Sequence, residues 1–279
     1  MPTFSDALRA LQPTPDADHD AYLPAFRAAA DLILNRSDWM IAGRPHQILE
    51  IEFYWQGGAH PDPFTHADPH QRELGRWYFH RQGGQWRGGT YKGIDIAFGR
   101  EDTCAGILIR AARAPDGAVI EGPSLCVDHL LRETGHAAIR DLVAAEGRDL
   151  DPAPGGSPLH LVLTGAPRDA ALCEGPRVGL TLKREPFAAR VAYLARPYRF
   201  ISEPAAIKKG RPNLAVGLHR QGLDVPEIAA RTGWSAAQVA RAVEHYEAGV
   251  RRDPADFSGD LGPDDTCALF GACDSAARA

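Results

Sequence analysis

The stretch Gln47-Ile48-Leu49-Glu50-Ile51-Glu52-Phe53-Tyr54-Trp55 decides how the chain folds. Apolar and more polar side chains alternate along it, and a period of two is typical of a half-buried β-strand. One face carries Glu50, Glu52 and Tyr54. The other face, which we predict to point into the core, carries Leu49, Ile51, Phe53 and Trp55.

The face with two carboxylates and a phenol has two interpretations. It can form the floor of a nucleobase pocket, in which Tyr54 offers a flat stacking surface and Glu52 activates water. Alternatively, it is a solvated edge strand with a pair of glutamates that have no chemical role. The strand by itself leaves both interpretations open.

Length and composition indicate a globular protein. The chain has 279 residues, of which 44% are hydrophobic, and its mean hydropathy is −0.29. It can therefore bury a sizeable core, as one large domain or as a domain with an appendage. No apolar run approaches the roughly 20 residues of a membrane span. The N-terminus shows neither the basic start nor the apolar segment of a secretory signal. We therefore expect no membrane partner and a cytoplasmic location.

The five cysteines are scattered and odd in number, which favours reduced thiols over a disulfide framework. The two near the C-terminus lack a neighbouring histidine, so we expect no metal site there. They are Cys104, Cys126, Cys173, Cys267 and Cys273.

The net charge of −5 argues against a protein that coats nucleic acid. Residues 176–220 nevertheless hold ten basic side chains against Glu185 and Glu203, and such a local surplus can bind phosphates. Acidic loops elsewhere could also neutralise this surplus in space. The basic residues are Arg177, Lys183, Arg184, Arg190, Arg196, Arg199, Lys208, Lys209, Arg211 and Arg220.

The chain divides into four regions by composition and periodicity. Residues 1–20 are predicted to be a flexible leader, and residues 21–205 the main α/β domain. Residues 206–250 have helical period, with small, turn-forming and aliphatic residues at the spacing of a helix-turn-helix. Residues 251–279 are acidic and aperiodic, and we predict a weakly ordered tail.

The helix-turn-helix pattern uses Ala229, Gly233 and Val239, and Ser235 could cap the second helix. The exposed side of that helix would present Ala236, Gln238 and Arg241. This segment either contacts DNA or forms a helical cover on the main domain.

Two strand-like runs, 76–80 and 90–98, flank a glycine-rich tip and predict a hairpin. Trp86 and Arg87 lie at this tip, where glycines allow the backbone to approach another surface closely. An exposed aromatic ring and an arginine suit insertion between stacked bases. The alternative is that Trp86 folds back onto its own hairpin.

Several segments in the same order, over roughly residues 25–203, resemble the alkyladenine (methylpurine) DNA glycosylases. Residues 107–111 (Ile-Leu-Ile-Arg-Ala) are similar to the Leu-Ile-Arg-Ala strand of that family, and 122–126 to its Gly-Pro-x-x-Leu turn. The other matching segments are 49–54, 62–66, 75–78 with the hairpin to Ile96, 177–180 and 195–200.

This resemblance implies an α+β fold: a single mixed α/β domain with a curved, mainly antiparallel sheet, here followed by the small C-terminal helical appendage. It implies a monofunctional DNA glycosylase of base excision repair, without metal or cofactor, acting as a monomer on double-stranded DNA with a flipped base. Glu52 would activate water against the sugar carbon, and Arg110 would position Glu52 or that water. Tyr54 would stack on the flipped base, and His66 would contact the base or the adjacent sugar-phosphate.

Three departures from the family pattern lie in the predicted pocket. His80 stands two residues past Tyr78, where the family has a second stacking tyrosine, and Asp95 stands where it has an asparagine. An ionised aspartate only accepts hydrogen bonds, whereas asparagine also donates. The longer hairpin tip leaves Trp86 and Tyr91 as candidates for the residue that enters the base stack.

The predicted base-binding residues are therefore Tyr54, Tyr78, His80 and Asp95. The predicted DNA-binding residues are Trp86, Arg87, Tyr91, Lys92, Arg196, Arg199, Lys208 and Lys209. Two rival hypotheses remain open: a non-catalytic nucleic-acid-binding module on the same fold, and a glycosylase that acts on another modified base or on RNA.

Overall fold

The computed structural model describes residues 2–14, 16–152 and 156–277. Within them the chain forms two compact units, Met1–Pro61 with Thr65–Ala171, and Asp62–Phe64 with Leu172–Ala279. This division differs from the boundary at residue 205 that the change of composition predicts.

The first unit contains four α-helices and ten strands among its described residues. The helices are α1 (Phe4–Arg9), α2 (Tyr22–Asn35), α3 (Pro123–Thr134) and α4 (Ile139–Glu146). The strands are β1 (Ser37–Ile41), β2 (Arg44–Gly57), β3 (His60–Pro61), β4 (Trp77–Phe79), β5 (Arg81–Gln82), β6 (Gln85–Trp86), β7 (Ile94–Ala97), β8 (Cys104–Arg113), β9 (Val119–Glu121) and β10 (Leu159–Leu163).

The sheet of this unit has the strand order β10-β1-β2-β8-β7-β4. Its neighbouring strands pair antiparallel, and the sheet does not close into a barrel. β4 and β7 form the predicted hairpin, with the small β5–β6 pair at its tip. The expected fold class, an α+β protein with a mainly antiparallel sheet and C-terminal helices, is confirmed.

Strand β2 packs against helix α2 with the face that the alternation predicts. Leu49, Ile51, Phe53 and Trp55 are all buried. The ring of Phe26 stacks on Phe53 at 4.6 Å between centroids. Full burial of side chains of this size contributes roughly 1.5–3 kcal/mol each to folding, so this layer fixes the orientation of the strand.

A register shift occurs where β2 meets β8. Glu50 pairs with Ala111 and Ile51 with Ile109, so Arg110 has no directly opposite residue in this register. Arg110 and Leu108 are two residues apart on β8, and side chains at that spacing share a face. The guanidinium therefore points to the same side of the sheet as the two glutamates of β2.

The second unit has the strands β11 (Cys173–Gly175) and β12 (Arg199–Ile201), which pair antiparallel. Its helices are α5 (Phe187–Leu194), α6 (Arg211–Arg220), α7 (Val225–Thr232), α8 (Ala236–Gly249) and α9 (Pro263–Ala276). Asp62 and Arg177 are both buried and form an ion pair inside this unit.

Helices α8 and α9 approach each other so closely that a side chain has no room at two positions. A Cβ atom on Gly249 would collide with the backbone of Ala268, and one on Gly271 would collide with the backbone of Tyr246. The two helices therefore pack backbone against backbone.

Two sequence predictions about the chain ends are wrong for the described residues. The segment predicted as a leader forms α1, which has a capping box at Thr3 and buries Phe4 and Leu8. The segment predicted as a weakly ordered tail forms α9, which buries the run 267–274. Burial against other elements stabilises both helices, although local periodicity is weak. Residues 1, 15, 278 and 279 lie outside the described part, as do residues 153–155 of the Pro/Gly-rich connector.

Of the described helices, none combines the length and the hydropathy required to cross a membrane. All five cysteines are buried, and no disulfide joins any of them within the described residues.

Candidate functional site

One row of residues runs across four strands of the first unit. Glu52 lies opposite Leu108, Leu108 opposite Asp95, and Asp95 opposite Tyr78. Directly opposite residues of antiparallel strands have their side chains on the same face. The polar face that the sequence predicts for β2 therefore extends over β8, β7 and β4.

The first cluster on this face surrounds Glu52, whose side chain is fully buried. Tyr54 donates a hydrogen bond from its hydroxyl to Glu52 Oε2 at 2.8 Å. Arg110 Nη1 lies 3.3 Å from the same oxygen, and Arg110 Nε lies 2.9 Å from Glu50 Oε1. A single guanidinium thus holds both carboxylates of the strand.

Burial opposes the charge of Arg110, but the carboxylates of Glu52 and Glu50 more than offset this effect and raise the pKa of the guanidinium. The arginine therefore remains a cation inside the sheet face. Charge-assisted hydrogen bonds of this kind are stronger than neutral ones and fix the position of both partners.

The second cluster contains His66, Tyr78, His80 and Asp95. His66 Nδ1 lies 3.0 Å from the Tyr78 hydroxyl, and His80 Nε2 lies 2.9 Å from Asp95 Oδ1. The rings of His66 and His80 meet edge to face, with 4.4 Å between centroids. The sequence-predicted base-binding residues of β4 and β7 are therefore in contact with one another.

His66 is exposed overall, yet its ring lies among the buried groups of this cluster. Burial of the ring, and then the neighbouring His80, lower the pKa of His66 to about 4. Burial and the Asp95 carboxylate raise the pKa of Tyr78 above its ordinary value. At neutral pH the cluster therefore offers a neutral imidazole and a protonated phenol.

Two glycines that sequence reasoning missed make room for the second cluster. A Cβ atom on Gly93 would collide with the ring of His80, and one on Gly106 would collide with the Asp95 carboxylate and the Gln71 amide. A glycine inside a strand often marks such a close approach, which is the signal that Gly106 offers in β8, whereas Gly93 directly precedes β7.

The wedge candidates at the hairpin tip differ in exposure. Tyr91 is 73% exposed. Trp86 is half-buried, with its ring 6.3 Å from Phe79 and 5.1 Å from the guanidinium of Arg81. Of the two alternatives for Trp86, the structure shows the one in which the ring packs back onto its own hairpin.

Behind the tip lies a cavity of about 470 Å³. Among its lining residues are Arg87, Lys92 and Arg140, and the start of α4 also lines it. Lys92 pairs with Asp128 at 2.6 Å. The guanidinium of Arg87 has no carboxylate partner in the part of the chain that the structure describes, and its Nε is buried without an acceptor. The sequence did not indicate Arg140 as a binding residue, because no motif surrounds it.

The basic stretch of the second unit does not present all its charges to solvent. Arg199 is fully buried and donates to the backbone carbonyls of Lys209 and Gly210, which contradicts its predicted contact with DNA. Arg196 is half-buried, and its Nε donates to the carbonyl of Ala192 at 3.0 Å. Lys208 and Lys209 are exposed.

The predicted helix-turn-helix segment forms two helices, α7 and α8, joined at Gly233, which adopts φ +63°. The hydroxyl of Ser235 accepts a hydrogen bond from the backbone N–H of Gln238 and caps α8. Gln238 is exposed, whereas Arg241 pairs with Asp264 at the start of α9. Of the predicted base-reading side chains on α8, the arginine is thus already held by a carboxylate.

The fold and the site together define an α+β protein with a buried Glu–Arg–Tyr cluster on an open antiparallel sheet. No family model matches the chain. Over 204 residues it is 31% identical to "Uncharacterized protein L759" of Acanthamoeba polyphaga mimivirus, a match that covers 68% of this chain and 91% of the viral protein. The chain belongs to the same family as that mimivirus protein.

Proposed function

We propose that the protein is a monofunctional DNA glycosylase that flips a modified base and hydrolyses its N-glycosidic bond with a water activated by Glu52. The observation that carries the proposal is the buried carboxylate of Glu52, held by Arg110 at 3.3 Å and by the Tyr54 hydroxyl at 2.8 Å.

Cleavage of an N-glycosidic bond passes through a state with positive charge on the sugar. A fixed carboxylate can stabilise that charge and deprotonate the attacking water. Arg110 keeps Glu52 in place, and Glu50 balances the charge of the arginine. The cluster therefore supplies a general base that is oriented before substrate arrives.

Access to Glu52 requires the neighbouring Tyr54 to move. Glu52 has no exposed surface, whereas Tyr54 is half-buried and bonds directly to it. A flipped base that stacks on the Tyr54 ring would displace the phenol from the carboxylate and admit water. Flipping costs a few kcal/mol, and stacking on an aromatic ring returns about 1–3 kcal/mol.

The proposed DNA interface is the hairpin tip. Tyr91, the most exposed of its aromatic residues, would fill the gap that the flipped base leaves in the stack. Arg87 and Arg140 line the adjacent cavity and would contact backbone phosphates. Lys208 and Lys209 of the second unit are further exposed cations suited to phosphates.

The direct test is mass spectrometry of the bases that the protein frees from a panel of modified duplexes, single strands and RNA copies. We expect release of at least one modified base from duplex DNA. Glu52→Gln should abolish release and leave duplex binding nearly intact, whereas the control Glu146→Gln, on α4, should retain wild-type release. Base release by Glu52→Gln at the wild-type rate would refute the role of Glu52.

A second candidate function is a non-catalytic nucleic-acid-binding module. It is favoured by the geometry of α7, Gly233 and α8, in which the capped start of α8 carries exposed Gln238. In that case no base is released, and Gln238→Ala weakens duplex binding while Glu52→Gln does not.

A further inference from the structure

The wall of the cavity behind the hairpin tip carries a surplus of positive charge. The cavity measures about 470 Å³, and all its lining residues belong to the first unit. Arg87, Lys92 and Arg140 are among them, whereas Asp128 is the one carboxylate that lines it, so cations outnumber carboxylates by two. A recess with this balance of charge suits an anionic ligand.

Lys92 and Asp128 use their charges on each other. Lys92 Nζ lies 2.6 Å from Asp128 Oδ1, and only 16% of the lysine side chain is exposed. The pair joins α3 to the segment between the hairpin tip and β7, and thereby fixes one wall of the cavity. The surplus charge of the wall therefore lies on the two arginines.

Arg87 is held at the cavity by its own backbone. Its N–H donates to the carbonyl of His80 at 2.9 Å, directly after β6. Its Nε is buried and has no hydrogen-bond acceptor among the residues that the structure describes. A buried donor without an acceptor is destabilising. An oxygen atom bound in the cavity could supply that acceptor.

Arg140 lies across the cavity, in the first turn of α4. Its Nε is 3.4 Å from Asp141 Oδ1, but its side chain is 80% exposed. An exposed pair of this kind contributes little, so the guanidinium is able to turn towards a ligand. Ala138, at the N-cap of α4, has no side-chain oxygen to accept from the amides of that turn. The start of the helix therefore adds to the attraction for an anion.

A phosphomonoester matches this set of donors better than a phosphate within a continuous strand does. It carries about −1.5 to −2 charges at neutral pH and presents three acceptor oxygens. A phosphodiester carries a single charge and presents two free oxygens. The surplus of two cations corresponds to the doubly charged group, and the volume of the cavity leaves room for a nucleoside beside the phosphate.

We infer that this cavity binds the terminal phosphate of a nucleotide, with Arg87 and Arg140 as the side chains that hold the phosphate group. The nucleotide is a free mononucleotide or the phosphorylated end of a broken DNA strand, since both carry the same phosphomonoester. This inference goes beyond the proposed function, because the cavity would bind its ligand whether or not a base is released.

The first experiment is isothermal titration calorimetry of the full chain with deoxyadenosine 5′-monophosphate and with deoxyadenosine. We expect the nucleotide to bind at least about 10-fold more tightly than the nucleoside. Arg87→Gln and Arg140→Gln should each weaken binding of the nucleotide by about 10- to 100-fold, the effect of one hydrogen bond to a charged group.

Two further variants make this measurement decisive. Arg140 is mostly exposed, so Arg140→Gln should fold as the wild type does and serves if Arg87→Gln does not fold. Arg9→Gln, on α1, removes an exposed arginine outside the cavity and should leave the affinity unchanged. A loss in Arg9→Gln as large as in Arg140→Gln would assign the effect to net charge and overturn the site.

The second experiment distinguishes the two sources of the phosphate. Three nicked duplexes of one sequence carry a 5′-phosphate, a 3′-phosphate or hydroxyls alone at the nick, and fluorescence anisotropy measures their affinities. If the site takes strand ends, one phosphorylated nick binds more tightly than the hydroxyl nick, and Arg140→Gln removes the difference. If it takes free mononucleotides, the three duplexes bind equally while deoxyadenosine 5′-monophosphate still binds.

Equal affinities for all three duplexes, together with no preference for the nucleotide over the nucleoside, would overturn the inference. Neither experiment depends on base release. A protein that binds the phosphomonoester but frees no base from any modified duplex would therefore refute the glycosylase function and leave this site standing.

Discussion

Tyr54 donates its hydroxyl hydrogen to Oε2 of Glu52 at 2.8 Å, so the residue that we propose to stack on the base also covers the residue that we propose to activate water. The ring and the hydroxyl of Tyr54 therefore have separable roles. In the function that we propose, the ring binds the substrate, and the hydroxyl holds Glu52 before the substrate arrives.

Tyr54→Ala should weaken binding of a duplex that contains a releasable base by about 1–3 kcal/mol, because the stacking surface is lost. Tyr54→Phe retains the ring and should bind within a few-fold of the wild type. Fluorescence anisotropy in the Glu52→Gln background, where turnover is blocked, measures both. Equal affinity of the alanine and phenylalanine variants would exclude stacking on Tyr54.

Arg110→Met should destabilise the protein by about 3–5 kcal/mol, because two buried carboxylates then lose their shared cation. Adding Glu50→Gln should recover part of the loss, since one uncompensated charge is removed. Urea denaturation followed by circular dichroism measures both variants. If Arg110→Met alone is as stable as the wild type, the guanidinium does not hold Glu50 and Glu52.

Tyr91→Ala should slow base release from duplex DNA about 10- to 100-fold, because unstacking a base costs a few kcal/mol and the gap is left unfilled. Release from a single strand should change little, since no stack has to be opened. Leu163→Ala, an exposed apolar residue on β10, is the control. A similar loss on both substrates would argue against insertion of Tyr91.

The logarithm of the association constant for an unmodified duplex falls linearly with the logarithm of the salt concentration. Arg87→Gln should make this slope less steep by about 0.9, the value for one phosphate contact. The double variant with Arg140→Gln should reduce it about twice as much. Arg9→Gln on α1, which removes an exposed arginine outside this cavity, should leave the slope unchanged. If all three slopes agree with the wild type, the cavity at the hairpin tip does not bind the DNA backbone.

A buried histidine pair outside the site should make the first unit sensitive to acid. His46 Nε2 and His129 Nε2 lie 2.8 Å apart, His46 Nδ1 faces the carbonyl of Arg44, and Arg132 Nη2 faces His129 Nδ1. These contacts form one row of hydrogen bonds from the Arg44 carbonyl to Arg132. Each contact has one donor and one acceptor only if both rings are neutral. Burial accordingly lowers the pKa of each ring below 6.5.

Because the folded pKa values are lowered, the unfolded chain binds more protons than the folded one below about pH 6.5. The contribution of the pair to stability is complete above pH 6.5 and is lost as the pH falls from there through the folded pKa values. The urea midpoint should therefore drop between pH 7.5 and 5, and less steeply in His129→Gln. Identical pH profiles would remove the pair as the cause.

Local periodicity predicted the central strand and the face that it buries, because the alternation of apolar and polar side chains is visible within the nine residues 47–55. It could not predict the register shift opposite Arg110, which depends on pairing with a strand some sixty positions later. The Glu50–Arg110–Glu52 geometry follows from that shift, so the sequence indicated the residues of the cluster but not its arrangement.

The incorrect predictions have a common physical cause. Arg199 was predicted to be a surface cation because it lies in the basic stretch 176–220. In the structure its guanidinium donates to backbone carbonyls inside the second unit. The glycines around Trp86 left open whether its ring is exposed, and Phe79 and Arg81 provide the surface on which it packs. The burial of these two side chains depends on contacts that the local sequence pattern does not encode.

The contact of α8 with α9 through Gly249 and Gly271 limits how the protein can be shortened. A chain ending at residue 262 would uncover a strip of backbone around Gly249 and the buried side of α8, which includes Val239, Val243 and Tyr246. Such a fragment should aggregate on expression, whereas a tag attached beyond residue 279 leaves the strip covered. We therefore expect α9 to set the shortest length at which the second unit stays in solution.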